Sequence, residues 1–436
     1  MSIGEQARGA LDAAKPAGAW LRLRKWGMIA GEFTLVQGFV QVTQALTGII
    51  LVRWLTKNDF AYYTIANTWL LALVTLSDSG VGSAATALGG VVWQDRFRLG
   101  QVIASALRIR HWLAAVTILP VIAILVWTLV RNGAGWGLIS IFVVLVGVIA
   151  YFQLTYSILV VVLRLRREVR RIQTLDTVKG VGRLLLTAGA ILIYLDSVVA
   201  LVATAIASAA QYVLTLKWMI SGVDPHAPHD GEIESKIKVV VRRQWPNEVN
   251  GVFAGQLSII LLSFFGTSAS VADLGALGRI SLLFTVFGTM LQSVVFPRYA
   301  VCQEPSRLKK LYWGIVAGSA VVSLIPVLVT WAAPGPFLWV LGPKYKGLNF
   351  ELMLVMLNAG VASIAGVTWG LNSSRAWIIA GWWLVPLGLA TQFALMFVFG
   401  VSTIQQVLWI GIVSSLVAIG ENVVATFVFS HNFTRV

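Results

Sequence analysis

The chain has 436 residues, of which 58% are hydrophobic and only 12% charged, and its mean hydropathy is +0.82. This composition lies far outside that of a soluble globular domain and indicates an integral membrane protein. A net charge of +15 would suggest nucleic acid in a soluble protein, but here the charge is spread over short loops that face anionic lipid. We therefore expect no nucleic-acid partner and count membrane lipids as the partner of these charges.

Apolar segments long enough to cross a bilayer follow one another along the chain, each needing about 20 residues. We predict an all-α membrane protein with about twelve transmembrane helices. The predicted spans cover residues 27–55, 60–90, 102–130, 137–163, 172–195, 196–220, 248–267, 275–300, 309–333, 348–371, 376–398 and 402–430.

Lys and Arg collect in every second gap between these spans, as expected for loops on the cytoplasmic side of a membrane. With the N-terminus inside, 27 of the 33 basic residues lie on the inner side. The bias predicts that both termini are cytoplasmic. Residues 1–26 form a basic amphipathic segment suited to the inner leaflet, and the apolar stretch after it is too long for a signal peptide.

One connection is both long and polar, residues 221–247, and it divides six spans from six. We interpret residues 27–220 as an N-terminal lobe, residues 221–247 as a cytoplasmic inter-lobe loop and residues 248–436 as a C-terminal lobe. Two six-helix lobes around a central cavity are a common transporter architecture, in which the substrate path lies between the halves.

The sequence lacks the usual signs of an enzyme. The predicted outer loops are short and show neither paired carboxylates nor a nucleophile with its base, so we expect no catalytic residues. No Gly-rich Lys loop for a nucleotide is present. His226 and His229 have a spacing compatible with a metal, but a solvated linker explains them better. We predict no cofactor and no metal.

Polar residues follow one face of the first span, where Gln37, Gln41 and Gln44 lie in line with Gly48. One interpretation is hydrogen bonding and close packing between helices, as in any membrane bundle. Three glutamines in line favour a hydrated cavity that binds the substrate.

Ionisable residues inside apolar spans are costly and usually face a bundle interior or water. Lys179 and Arg183, four residues apart in the fifth span, share a helical face and could bind a phosphate or pyrophosphate at the inner mouth. The alternative is that both extend to the inner interface as ordinary basic residues. Three acidic residues, Glu32, Asp78 and Glu248, are candidates for ion coupling or gating.

Arg279 is unusual because it lies on the predicted outer side, where basic residues are rare. It points away from a polar stripe that contains Ser281 and Thr285, so either Arg279 or the stripe faces the substrate path. Pairing with Asp273 near the interface is the structural alternative.

Three patches of sequence resemble a known family. Residues 47–84 are similar to the opening two spans of the polysaccharide transporters of the multidrug, oligosaccharidyl-lipid and polysaccharide (MOP) exporter superfamily, although Ala61 replaces the usual Gly. The other two patches are residues 272–279, similar to the matching start in the second half, and residues 340–345 before the tenth span.

The resemblance implies a flippase that moves undecaprenyl-pyrophosphate-linked oligosaccharide across the bacterial inner membrane by alternating access, for cell-surface polysaccharide synthesis. Polysaccharide polymerase and export machinery are the further partners it implies. In this family, cations of the cavity meet the pyrophosphate and polar side chains meet the sugar. The cations would here be Lys179, Arg183 and Arg279, and the polar side chains Gln37, Gln41 and Gln44.

Two alternatives remain open at this stage. One is an ion-coupled small-molecule or drug exporter of the same superfamily. The other is a membrane enzyme that polymerises or ligates glycans, which the short outer loops with few acidic residues argue against.

Overall fold

A computed structural model of the chain describes residues 36–300, 302, 304–375, 377 and 381–433. Within these ranges the chain is almost entirely helical and contains no β-strand. The predicted all-α class is therefore confirmed. The amphipathic segment 1–26 and the candidate coupling residue Glu32 lie outside the described residues.

From residue 36 onward the first half contains seven helices, several of which begin at a side chain that caps the free amide groups of the first turn. Thr56 accepts from the Asp59 amide at 3.1 Å, and Asp95 accepts from the Phe97 amide at 3.0 Å. Asp196 caps the last helix of this half by accepting from the Val199 amide at 2.8 Å. The helices are α1 (36–54), α2 (Lys57–Asp78), α3 (Val81–Val92), α4 (Arg96–Arg131), α5 (Trp136–Leu165), α6 (Val169–Ile191) and α7 (Ser197–Met219).

The second half begins with a helix of 35 residues and contains a π-helical turn at Leu291–Val295. A single 3₁₀ turn spans Pro343–Tyr345. The helices are α8 (Gly231–Phe265), α9 (Ser268–Ile280), α10 (Leu282–Met290), α11 (Phe296–Ala300), α12 (Pro305–Ala332), α13 (Pro334–Leu341), α14 (Asn349–Ser373), α15 (Gly381–Phe399) and α16 (Ile404–Phe433).

The prediction of a loop over residues 221–247 is wrong from Gly231 onward, where α8 begins. Asp230 caps this helix by accepting from the Glu232 amide at 2.8 Å. One turn later, Glu232 accepts from Lys236 Nζ at 2.7 Å, and this bond raises the pKa of Lys236. A cap and such an ion pair stabilise a helix that is exposed to water. A polar composition therefore does not distinguish a loop from a solvated helix here.

Eight helices in the described part of the chain are long and apolar enough to cross a membrane, which makes this a multi-pass membrane protein. The charged α6, the polar first half of α8, α15 and the partly described α1 are not among these eight. The count of twelve spans and the cytoplasmic termini stay predictions.

Helix α2 occupies the centre of the fold and joins the two halves. It packs against α4, α5 and α7 of the first half and against α8 and α9 of the second. Phe60, Ile65 and Leu73 of α2 are completely buried in one hydrophobic core, which continues into the second half through Leu277 and Leu352. The two halves therefore share a core along α2.

Polar contacts tie the halves together at the Lys57 end of α2. Lys57 Nζ donates to Asp273 Oδ1 at 2.8 Å, so the expectation that Asp273 pairs with Arg279 is wrong. From the 3₁₀ turn, Lys344 Nζ donates to the carbonyls of Leu55 at 2.5 Å and Arg53 at 3.0 Å. Burial of this ammonium lowers the pKa of Lys344.

Replacing Gly275 with Ala should destabilise the protein, because an added Cβ would lie 2.8 Å from Thr64 Oγ1 of α2. Overpacking of this kind costs about 1–3 kcal/mol. The matched control is Gly278→Ala on the same helix, where no described atom lies within 4 Å of the added carbon. Thermal unfolding in detergent, followed by size-exclusion fluorescence, should give a lower midpoint for G275A alone. Equal midpoints would contradict the close packing of α2 and α9.

Reversing either charge of the Lys57–Asp273 pair should destabilise the contact between the halves, because two like charges would then meet where the Asp273 side chain is only 13% exposed. A hydrogen bond to a charged group contributes about 1.5–3 kcal/mol. The double exchange K57D/D273K should recover most of the unfolding midpoint that each single reversal loses. If the double variant is no more stable than the weaker single variant, the pair does not join the halves. The control is Lys346→Asp at an exposed position.

Candidate functional site

Helix α6 carries Lys179 and Arg183 on one face, as their spacing of four residues predicted. Since α6 begins at Val169 and ends at Ile191, Arg183 lies past the middle of the helix. Its position relative to the inner mouth stays a prediction. The Arg183 guanidinium donates to the hydroxyl of Tyr63 on α2, while its Nε is buried without a hydrogen-bond partner among the described residues. This hydrogen bond favours a position inside the helix bundle over the alternative in which Arg183 extends to the interface.

Arg279 reaches the same place from the second half. Its guanidinium lies 5.9 Å from the ring centroid of Phe60, and its charge acts on that of Arg183. On α1, a Cβ at Gly48 would lie 2.9 Å from Arg279 Cδ, so only glycine leaves room for this side chain. Arg279 Nε is buried and, within the described part of the chain, makes no hydrogen bond.

Of the two alternatives on α9 and α10, Arg279 is the residue that faces the first half. The hydroxyl of Ser281 donates to the carbonyl of Gly278 at 2.8 Å, and that of Thr285 to Leu282 at 2.6 Å. These hydroxyl groups therefore satisfy the backbone of their own helix, as is common for Ser and Thr in apolar helices.

A carboxylate that sequence reasoning missed lies beside Lys179. Asp176 is in electrostatic contact with Lys179, and its Oδ1 accepts from Tyr156 Oη at 3.0 Å and from Gln211 Nε2 at 3.2 Å. Its position three residues before Lys179, on the same helical face, was the available signal. We name Lys179, Arg183 and Arg279 the cationic cluster; one carboxylate stands against its three cations.

The predicted glutamine face is only partly at this site. Gln41 lines a cavity of about 230 Å³ together with Arg279, whereas Gln37 and Gln44 lie outside its wall and Gln44 is exposed. The rest of the wall is apolar and comes from α1, α9, α10 and α13. It consists of Val42, Ala45, Ile49, Ile280, Leu282, Leu283, Val286, Phe337, Val340 and Leu341.

The acidic candidates Asp78 and Glu248 meet at a second place, about 22 Å along α2 from Tyr63 at 1.5 Å per residue. Asp78 Oδ1 accepts from Arg110 Nη2 at 2.8 Å, and the charge of Asp78 acts on Glu248 of α8. The structure thus brings together two of the three residues predicted for coupling or gating. It also adds Arg110, which no sequence pattern singles out.

His226 and His229 each have a hydrogen-bond partner nearby in the chain or in space. His229 makes a hydrogen bond to the Arg108 guanidinium, and the backbone amide of His226 donates to Asp224 Oδ1 at 3.0 Å. Across the described ranges, no three His, Cys, Asp or Glu side chains come together as metal ligands.

Comparison with solved structures identifies the fold. A multidrug resistance MATE family transporter of the MOP superfamily, in an inward-facing conformation, superimposes with a TM-score of 0.68 at 13% identity over 92% of this chain and 99% of that one. The chain has the fold of MOP-superfamily transporters. An outward-facing structure of a MATE family transporter gives a TM-score of 0.63 at 13% identity, over 93% of this chain and 95% of its own.

A MOP-superfamily transporter from Pyrococcus furiosus Vc1 (DSM3638) matches with a TM-score of 0.58 at 15% identity, over 92% of this chain and 94% of its own. That protein is described as having a binding pocket of reversed polarity, which suggests a different function for it. No family model matches the sequence, and a search of curated proteins found no match. The similarity to MOP-superfamily transporters is therefore one of fold.

Replacing Arg279 with Met should stabilise the empty protein. The change removes a cation that lies near Arg183 and has an unmet buried donor, and it keeps a long side chain against Phe60. Replacing buried charges by apolar groups of similar volume stabilises proteins by up to about 1–4 kcal/mol. The unfolding midpoint should rise for R279M and stay unchanged for the exposed control Lys346→Met. A lower midpoint for R279M would mean that Arg279 is already satisfied by its neighbours.

Proposed function

We propose that this protein moves an anionic, lipid-linked substrate across the bacterial inner membrane by alternating access. In its specific form the substrate is an undecaprenyl-pyrophosphate-linked oligosaccharide, moved from the inner to the outer leaflet for cell-surface polysaccharide synthesis. One observation carries the proposal. Arg183 and Arg279 come from opposite halves, lie near each other and each have a buried Nε without a partner in the described residues.

Guanidinium groups with a buried Nε donor that lacks a partner among the described residues favour an anion with several acceptor oxygens. Phosphate and pyrophosphate match the fork of donors that Arg presents, and the bonds are strengthened by charge. Lys179 adds a third cation on the face of α6, while Asp176 is already bonded to Tyr156 and Gln211. A cationic substrate would instead meet an excess of positive charge.

The cavity beside Arg279 supports a lipid-linked form of that anion. Its wall is apolar apart from Gln41 and Arg279, which suits a prenyl chain whose pyrophosphate lies at the guanidinium. Gln41 would remain available for a sugar hydroxyl, and Gln37 and Gln44 extend the same helix face. Polysaccharide polymerase and export machinery would act on the product at the outer leaflet.

The second candidate is an ion-coupled small-molecule or drug exporter. The comparisons support it better than the flippase, because solved structures of the same fold include transporters described as multidrug resistance proteins. The positive charge of the cluster argues the other way. Reversed pocket polarity in the Pyrococcus furiosus transporter is an example of the same fold associated with a different function. A glycan polymerase or ligase has the least support, since these neighbours are transporters.

Proteoliposomes that contain a fluorescent undecaprenyl-pyrophosphate oligosaccharide test the proposal. Wild type should expose the lipid in the outer leaflet, and Lys179→Gln with Arg183→Gln should slow this flipping at least about tenfold, since each charge-assisted bond contributes about 1.5–3 kcal/mol. Lys346→Gln, a cation outside the cluster, should flip as wild type does.

The outcome that supports the exporter is equally definite. If wild-type vesicles expel a fluorescent organic cation in exchange for protons or sodium and leave the labelled lipid in place, the flippase is excluded. If the double variant flips the lipid at the wild-type rate, Lys179 and Arg183 do not bind the pyrophosphate.

A further inference from the structure

The most unusual group outside the cationic cluster is Arg110 of α4. Only 2% of its side chain is exposed, and its Nη2 donates to Asp78 Oδ1 at 2.8 Å. Nε and Nη1 are also buried but have no hydrogen-bond partner among the residues that the structure describes. A guanidinium has five N–H donors, and leaving buried donors unmet costs about 1–3 kcal/mol each. Arg110 can therefore take a second acceptor without leaving Asp78.

Helix α8 holds a carboxylate next to this pair. Glu248 is half-buried, and the charge of Asp78 acts on it. One turn earlier, Gln244 Oε1 occupies the space that a Cβ of Gly80 would need, and it accepts from Ser83 Oγ at 3.3 Å. Gly80, with φ of 86°, lies in the break between α2 and α3, two residues after Asp78. Because Gln244 packs against this break, α8 is positioned with Glu248 one turn further along, beside the Arg110–Asp78 ion pair.

The charges at this junction do not balance. Two carboxylates, Asp78 and Glu248, stand against the one cation Arg110, so the triad carries one negative charge when both acids are ionised. The nearest other ionisable group on α4 is His111, whose ring stacks on Tyr151 at 6.1 Å. Of the other helices packed against α8, α3 and α15 have no ionisable residue, and α9 carries Asp273 and Arg279 toward the other end of α2. Helix α16 carries Glu421 and His431. Arg242 and Arg243 of α8 are exposed. A net charge among apolar helices is costly, and one proton removes it.

We propose that Glu248 binds this proton and that the proton controls the attachment of α8 to α4. Ionised Glu248 accepts from the vacant donors of Arg110 and ties the helix of the second half to the first half. Protonated Glu248 is neutral, gives up that ionic bond and releases α8, while Arg110 keeps Asp78. The proton exchanges with solvent past Asp78, whose side chain is 41% exposed. We call this contact of Glu248 with the Arg110–Asp78 pair the latch. It operates for either substrate class considered above.

Infrared spectroscopy of the full chain in bilayers tests where the proton binds. A titration should show the C=O band of a buried protonated acid, and Glu248→Gln should lose that band. The matched control is Glu232→Gln on the same helix, where 77% of the side chain is exposed, and it should keep the band. A band that persists in E248Q would overturn the proposal. A carboxylate signal that responds to Na⁺ at fixed pH, and not to pH, would overturn it in favour of a metal ion.

A distance measurement tests the latch itself. Spin labels on the exposed positions Arg98 of α4 and Ser235 of α8, in a Cys302→Ser background, report the separation of the two helices. The distance should change with pH in the wild type and in E232Q, and in E248Q it should keep its acidic value at every pH. A distance that is independent of pH in the wild type, or that still depends on pH in E248Q, would contradict the latch. Neither measurement uses a transported substrate, so a failure here leaves the proposed function unaffected.

Discussion

The cost of placing charge among apolar helices organises this molecule. An ionised side chain inside such a bundle needs a partner, water or a ligand, because the surrounding apolar groups offer none. Several charges meet this need within the fold, as Asp176 does with Tyr156 and Gln211, and as Lys57 does with Asp273. Arg110, Arg183 and Arg279 keep buried donors without a partner among the described residues. These three residues mark the two places to which we assign a function.

Helix α2 fixes where these two places lie. Its apolar residues are buried between the halves, so the helix can hardly move without disturbing both. Tyr63, near one end, accepts from Arg183, and Asp78, at the other end, accepts from Arg110. One rigid helix of about 33 Å, at 1.5 Å per residue, therefore connects the cationic cluster to the proposed latch. Both places therefore lie on one element, around which the rest of the described fold packs.

Sequence patterns found residues whose importance is local. The spacing of Lys179 and Arg183 set their common face, and Arg279 stood out because it broke the charge pattern of the loops. Tyr63 carries no such signal, and the polar face that contains Gly48 does not reveal the contact of Gly48 with Arg279, because both contacts depend on how α1, α2 and α9 pack. The alternative that paired Asp273 with Arg279 failed for the same reason, since the partner Lys57 lies far away in the chain and adjacent in space.

The all-α class and the succession of apolar helices were likewise predictable, since they follow from the length and the periodicity of the apolar segments. The boundary at Gly231 was not, because polarity alone does not separate a solvated helix from a loop. Capping by Asp230 and the Glu232–Lys236 pair decide it, and both can be recognised in sequence only once a helix is suspected.

The fold leaves the substrate open, and the sign of the charge in the cluster is the most direct evidence about it. Arg183 and Arg279 belong to different halves, so in the empty protein their mutual repulsion opposes bringing the halves together at this point. A bound polyanion reverses the sign of that interaction and draws both side chains toward itself. A cation would add to the repulsion. The same pair of residues would thus select an anion and make the separation of the halves depend on its presence, which is what alternating access requires of a binding site.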